Sequence, residues 1–206
     1  MTKDIIWLDI GCGKNENIAD FGHLAKKAIG IDVLDHPERV EAPFLLADMR
    51  SIPLPSEYAD LITLRFVVEH LQKIPADFSE VLRLLKPGGN LIILTTNSWS
   101  PLIFLPRLVS FRVKRWVIQH TFGVQSDDIF ETYHRFNSFG IMKRGVPPLR
   151  LSRLDFIEQV PFDKALLTIV FGLWYSMVRF SPLKYLRSNL LAVFSMNSRI
   201  DHRIQE

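Results

Sequence analysis

The chain of 206 residues has a single cysteine, Cys12. That excludes an intrachain disulfide and any cysteine-rich metal centre, and it fits a reducing compartment. Its six histidines include no H-x-x-x-H pair beside acids, so no metal site is expected. Long apolar runs are also missing. The longest, ALLTIVFGLWYSMV from Ala165 to Val178, falls short of the about 20 residues a membrane-spanning helix needs. It reads as a buried helix, with a helix lying on a membrane surface as the second reading. The first ten residues carry Asp4 and Asp9 and lack a basic region followed by an apolar stretch, so no signal peptide is expected. Repeats and low-complexity tracts are absent. With 48% apolar and 23% charged residues the composition is that of a folded protein, which argues against a long disordered segment.

One further absence is informative. Gly11 and Gly13 follow an apolar run in WLDIGCGKNEN, residues 7–17, yet position 16 is Glu16. The G-x-G-x-x-G of a dinucleotide turn is therefore not met. A diphosphate seated on a helix N-terminus needs that close backbone approach, so a nicotinamide-dependent oxidoreductase is disfavoured.

Charge is divided unevenly. Residues 1–98 hold 10 Lys+Arg against 14 Asp+Glu, and residues 99–206 hold 15 against 8. The basic excess of the second half is either a solvated face or a surface for an acidic partner such as anionic lipid or a phosphorylated substrate.

The first half alternates short apolar runs with helix-like segments. Strands are expected at 5–10, 28–33, 44–49, 59–66 and 90–97, and helices at 16–27 and 69–85, the latter broken by Pro75. The turn KPGG, 86–89, leads into the fifth strand. Apolar strands alternating with helices imply a doubly wound α/β fold, its mainly parallel sheet covered on both faces and its ligands at the carboxyl ends of the strands. Residues 98–148 read as a helical lid inserted after the fifth strand, including a short helix at 137–145 capped by Asn137 or Ser138. Further strands are expected at 149–160 and 189–196, separated by the apolar helix at 163–180. The whole is read as one domain, 1–206: a cofactor-binding half at 1–97, the lid or substrate insertion at 98–148 and C-terminal strands with an apolar helix at 149–196.

The acids fall at strand ends. Asp9 precedes the glycine turn, Asp32 closes the second strand and Asp48 the third. A parallel sheet gathers such ends on one rim. An acid after the second strand is placed to take both ribose hydroxyls. Asp48 could accept from an adenine amino group, and Asp9 with the Gly11–Gly13 backbone could hold a cationic amino-acid moiety. Each acid alone could equally be a turn or cap residue; their succession argues otherwise.

The stretches LDIGCG (8–13), IGIDV (29–33), ADMRSIPLPSEYADLI (47–62), FVVEHL (66–71) and LRLLKPGGNLII (82–93) resemble, in content, order and spacing, the class I S-adenosylmethionine-dependent methyltransferases of small molecules, in particular the type 11-like domain. The likeness extends more weakly through ETYHRFNS (131–138) and RSNLLAVF (187–194). It implies a seven-stranded sheet in the order 3-2-1-4-5-7-6, with strand seven antiparallel, and S-adenosyl-L-methionine as cofactor. It places Asp9, Gly11, Cys12 and Gly13 by the methionine part, Asp32 on the ribose with Val33 packing on the adenine, and Asp48 and Met49 beside the adenine ring. Arg65 and Phe66 would face the cofactor amino group, and Glu69 or His70 the methyl-transfer space. KNEN after Gly13 departs from the pattern, since many relatives carry a further glycine there.

Methyl transfer is an in-line displacement with a neutral leaving group, so proximity and alignment dominate. A hydroxyl acceptor can also use a general base. The candidates are His70, Tyr133 and His134, with His120 as another lid histidine. The lid carries Arg107, Arg112, Lys114 and Arg115 among Phe104, Phe111 and Trp116. This is too short a cluster for a nucleic-acid groove. The expected partner is a small-molecule methyl acceptor, at oxygen or nitrogen rather than carbon: a sugar, a lipid-linked compound or another metabolite. A cytoplasmic location is expected, with peripheral membrane contact and the oligomeric state left open. The rival reading is a methyltransferase-fold module that binds or assembles at a membrane without catalysis.

Overall fold

The computed structural model describes residues 4–74, 76–107, 132–158, 165–180 and 182–198. Seven strands form one sheet: β1 (Ile6–Ile10), β2 (Lys27–Asp32), β3 (Phe44–Leu46), β4 (Ala59–Arg65), β5 (Leu85–Thr96), β6 (Leu149–Ile157) and β7 (Asn189–Met196). Their order is β3-β2-β1-β4-β5-β7-β6. The first five strands run parallel, and β7 is antiparallel to both β5 and β6. This is the doubly wound α/β sheet expected, in the expected order. The apolar strands lie at its centre, with Ile10, Ile31, Leu64 and Ile93 wholly buried. β1 connects outward through β2 and β3, whereas β4 and β5 extend the other way. The carboxyl ends of β1 and β4 therefore flank the switch point where open α/β sheets take their ligands.

Several boundaries differ from expectation for local reasons. The helix expected at 16–27 is α1 (Glu16–Phe21), followed by a 3-10 turn at Gly22–Leu24. Gly22 lies so close to Ala28 that a Cβ there would come within 3.2 Å of the alanine methyl, and β2 begins soon after. The segment at 69–85 is not one helix. Val68–His70 and Ala76–Phe78 are 3-10 turns, and only Ser79–Leu84 is the helix α2. Leu71 turns extended, and proline follows at position 75. KPGG does not precede β5 but lies within it. Leu85 already pairs with Ala59, and a register shift between Ala59 and Leu61 absorbs the extra residues, with Gly88 at φ 78°.

The insertion after β5 contributes α3 (Pro101–Arg107) and α4 (Phe139–Arg144). Ser138 holds the cap position of α4 without a side-chain cap bond, and Asn137 is used elsewhere. Phe111, Arg112, Lys114, Arg115, Trp116 and His120 lie outside the described residues, as does the side chain of Arg107.

The apolar run forms α5 (Ala165–Val178), followed by a 3-10 turn at Leu183–Leu186 that leads into β7. The buried helix expected there is corrected. Among its described side chains only Val178 is buried, while Ile169 and Leu173 are 62% and 70% exposed. The helix is fastened at its edge instead. The Trp174 indole N–H donates to Glu158 Oε2 (3.1 Å), and the Arg187 guanidinium donates to the carbonyls of Phe156 (2.9 Å) and Val178 (3.3 Å). Among the described residues no helix is long and apolar enough to cross a membrane.

Candidate functional site

A cleft of about 460 Å³ opens over the carboxyl ends of β1, β2 and β3. Its size is within the range of small-molecule sites, about 300–1,000 Å³. Gly11, Asp32, Val33, Asp48, Met49 and His70 line it, all of them residues singled out from the sequence. The far wall is formed by Val67 and the stretch Leu71–Lys73, with Asp77 behind it. Sequence reasoning missed Gln72, Lys73 and Asp77. They follow the FVVEHL stretch directly, but their place on the wall depends on the non-helical turn there, in which the Lys73 N–H donates to Asp77 Oδ2 (2.6 Å).

Gly11 is where the backbone needs glycine. Its φ is 73°, and a Cβ would lie 2.2 Å from Val67 Cγ2. This contact brings the turn after β1 against the turn after β4 and closes the floor of the cleft. Asp32 is the hub of the opposite side. Its carboxylate accepts the Gly13 N–H (2.8 Å) and the Leu34 N–H (3.0 Å), tying the glycine turn to the end of β2. Each carboxylate oxygen keeps a further lone pair for a ligand hydroxyl. Val33 stands beside it, apolar and 55% exposed.

Asp48 is held differently. Arg50 donates to Asp48 Oδ1 from its Nε (2.9 Å) and to Oδ2 from a terminal nitrogen (2.5 Å), and its backbone N–H also donates to Oδ1 (2.9 Å). These hydrogen bonds hold the Asp48 carboxyl down at about 2. It is an anion with its acceptors partly engaged on the rim of the cleft.

Asp9, Cys12, Gly13, Arg65 and Phe66 were expected to touch cofactor, but none lies on the wall of the cleft. Asp9 is wholly buried beneath the glycine turn. It accepts from Thr63 Oγ1 (2.5 Å) and Asn17 Nδ2 (3.2 Å), with an Arg65 nitrogen at 3.7 Å. Burial pushes its pKa up, against the opposing pull of those partners. Cys12 is buried, and its thiol is pushed up to about 12 by burial and by the nearby Asp32 and Asp9, so it is no nucleophile at neutral pH. Phe66, just past β4, has φ 55°, a left-handed conformation that a bulky side chain rarely adopts, and is 38% exposed at the rim.

The missing glycine has a structural counterpart. Asn15 sits at the head of α1 with φ 63°, a conformation asparagine tolerates better than other non-glycine residues. It does not face the cleft. It is wholly buried, and its amide donates to the carbonyls of Ala42 (3.3 Å) and Pro43 (3.4 Å), bracing the loop before β3. Room for it comes from Gly30, where a Cβ would lie 1.9 Å from Asn15 Oδ1.

A second polar cluster lies beyond β4. Glu69 is buried, and Thr95 Oγ1 donates to its Oε2 (2.7 Å). Burial pushes its carboxyl upward, opposed by hydrogen bonds from its own backbone and from Thr95. Its carbonyl accepts the N–H groups of Tyr133 (2.7 Å) and His134 (3.0 Å), and so receives the chain where it returns to the sheet from the insertion. His134 has φ 51°, the second strained position of this rim. Asn137 Nδ2 meets His134 Nδ1 (2.5 Å) and donates to Thr96 Oγ1 (3.0 Å). With the amide nitrogen as donor, Nδ1 accepts and the ring proton sits on Nε2. Among the described residues no group of three or more metal-binding side chains occurs.

The cleft suits an adenosyl ligand: an acid with free lone pairs at the end of β2, an exposed apolar Val33 beside it, and Asp48 and Met49 at the next strand end. Comparison with known proteins agrees. A family model described as a methyltransferase domain matches residues 8–93. A ubiquinone/menaquinone biosynthesis C-methyltransferase of Cupriavidus taiwanensis is 33% identical over 85 residues, which is 41% of this chain and 35% of that protein. The enzyme of the same name from Paraburkholderia xenovorans is 34% identical over 82 residues, 39% of this chain and 34% of that one. The match thus spans about a third of the length of these relatives. In fold, an S-adenosylmethionine-dependent methyltransferase from Mesorhizobium loti superposes with a TM-score of 0.58 at 16% identity, over 95% of this chain and 93% of that one. A second, from Archaeoglobus fulgidus, gives 0.53 at 13% identity, over 93% and 86%. The chain thus resembles a methyltransferase domain over residues 8–93, and it shares the fold of these solved structures along nearly its whole length.

Proposed function

We propose that the protein transfers a methyl group from S-adenosylmethionine to a small-molecule acceptor. The observation that carries this reading is Asp32 on the cleft wall, preset by two backbone N–H groups and followed by the exposed Val33. In this reading Asp32 holds the ribose, Val33 and Met49 flank the adenine, and Asp48 faces its amino edge. The bound cofactor supplies a sulfonium methyl with a neutral leaving group. What the chain must add is alignment and exclusion of water. The acceptor would meet the carboxyl rim of β4 and β5, where Phe66, His70 and the Glu69-anchored segment with Tyr133 and His134 come together. Asn137 tethers the His134 ring beside this rim, which makes His134 a positioning residue in this arrangement.

Calorimetry with S-adenosylhomocysteine tests the reading. The wild type binds and Asp32→Ala loses most of the affinity; equal binding by both proteins would refute the assignment. For the acceptor atom, the sequence alone favours oxygen or nitrogen, while the matched relatives are named C-methyltransferases. Reaction of candidate acceptors with methyl-labelled cofactor, and NMR of the product, distinguishes carbon from heteroatom transfer. Cofactor binding without turnover on any acceptor would point to the non-catalytic module.

A further inference from the structure

Among the described residues, helix α5 carries an apolar stripe that nothing covers. Ile169, Leu173, Met177 and Phe180 follow one another at helical spacing and are 62%, 70%, 46% and 58% exposed. Tyr175 and, past the turn, Tyr185 are also exposed. Single exposed apolar residues need no explanation, but a continuous stripe along about 12 Å of helix, extended past its end by Phe180, does. Within its own stretch of chain the charge has one sign, while Glu158, just past β6, accepts the Trp174 N–H at the fastened edge of the helix. From Lys164 to Ile200 the sequence has five Lys+Arg and no Asp or Glu. Of these, Arg179 stacks over the Phe180 ring at 4.7 Å and Lys184 over the Tyr185 ring at 5.4 Å, both cations in exposed positions.

We propose that this face, α5 with the turn Leu183–Leu186, docks on an anionic lipid bilayer surface. Apolar and aromatic side chains would enter the headgroup boundary while Arg179 and Lys184 meet lipid phosphates. The helix is too short to span, which fits a helix lying in the interface plane. The alternative occupant, a second copy of the same face about a two-fold axis, would set these cations against their own copies with no acid from that stretch to offset them.

The face is joined to the acceptor rim by one buried residue. Asn97, just past the carboxyl end of β5, donates through its amide to the carbonyls of Tyr185 (2.9 Å) and Arg187 (2.8 Å). Its Oδ1 accepts the N–H of Trp99 (3.1 Å), which is itself 66% exposed, and α3 with the 50% exposed Phe104 follows. Docking would thus bring the rim of β5 to the bilayer, where an amphipathic, membrane-dissolved acceptor resides. This last step rests on the methyltransferase reading; the docking itself does not.

The test is sedimentation of the full chain with phosphatidylcholine vesicles, with and without phosphatidylglycerol, in the absence of cofactor. The expected result is binding only to the anionic vesicles, weakened by salt and reduced about tenfold or more by Leu173→Glu or Ile169→Glu. Because both side chains are exposed, circular dichroism and S-adenosylhomocysteine affinity should be unchanged. Failure to sediment with anionic vesicles overturns the proposal, as does sedimentation that survives both substitutions. Self-association abolished by Leu173→Glu without vesicle binding would assign the face to a second copy instead. Vesicle binding by a protein that does not bind S-adenosylhomocysteine would retain the docking face and refute the catalytic reading.

Discussion

The two sides of the sheet proposed for cofactor and for acceptor are braced by different means. Over β1–β3 the cleft is set by short-range backbone geometry: Gly11 against Val67, Gly13 bound to Asp32, and Asn15 nested on Gly30. Each contact involves residues at the end of a buried strand, where little can move. Beyond β4 and β5 the chain returns through side chains, with Glu69, Asn97 and Asn137 each accepting or donating to segments far away in sequence. The first kind of construction suits one invariant ligand. The second holds segments that are distant in sequence, including the approach to the exposed α5, on the edge of the sheet, where the acceptor is proposed to bind.

The contrast can be broken most directly at Asp32. Asp32→Ala removes a carboxylate that both holds the glycine turn and lines the cleft. It should weaken S-adenosylhomocysteine about 100-fold, corresponding to loss of one or two charge-assisted hydrogen bonds; a loss below threefold in calorimetry would remove Asp32 from the cofactor site.

Gly30→Ala is the next largest effect. The new Cβ would collide with Asn15 and Cys12, destabilising the fold by about 2–3 kcal/mol in denaturant titration. Asn15→Gly in the same chain makes room and restores a residue suited to positive φ. The pair should therefore recover at least about 1 kcal/mol. Additive losses would show that the missing glycine and Gly30 are not coupled.

On the acceptor side, Glu69→Gln sharpens the comparison through pH. Burial raises the folded pKa of Glu69 above its ordinary value of 4.5, so the folded state favours the protonated form. Its contribution is fully present below pH 4.5 and is lost as pH rises through the folded value. The Gln variant, which cannot ionise, should gain stability relative to wild type as pH rises from 4.5. A difference that is flat across pH would mean that Glu69 is not strained by its burial.

The smallest effect belongs to Arg50→Ala. Asp48 has its pKa lowered to about 2 by Arg50 hydrogen bonds, so whatever the pair stabilises is present above the ordinary aspartate value and lost as pH falls toward 2. Since the pair is largely exposed, with side chains 69% and 38% accessible, stability should change little. NMR titration of the Asp48 carboxyl should show its midpoint return toward the ordinary aspartate value of 3.8.

Legibility followed the same division. Strand-end acids and glycines could be read because a parallel sheet converts strand order into proximity. Asp32, Asp48, Val33 and Met49 indeed meet on one cleft. The far wall could not be read so far: Gln72 and Lys73 depend on a turn that helical periodicity concealed. The orientation of Asp9 was not legible either, because a strand-end acid can point into the cleft or beneath it, and here it bonds Thr63 and Asn17. The apolar run from 165 to 178 was read as core because composition records hydrophobicity but not which neighbours arrive to cover it.

By itself the sequence determined the α/β alternation, the parallel first half, the methyltransferase resemblance and the acids that would gather at one rim. These follow from local periodicity and from the limited ways a parallel sheet can be wound. The tertiary structure alone decided that Asn15 turns inward onto Gly30, that Glu69 and Asn97 serve as anchors, and that α5 leaves its apolar stripe uncovered. Each of these depends on contacts between segments 15 to nearly 90 residues apart, and no local pattern encodes which side chain meets which across such distances.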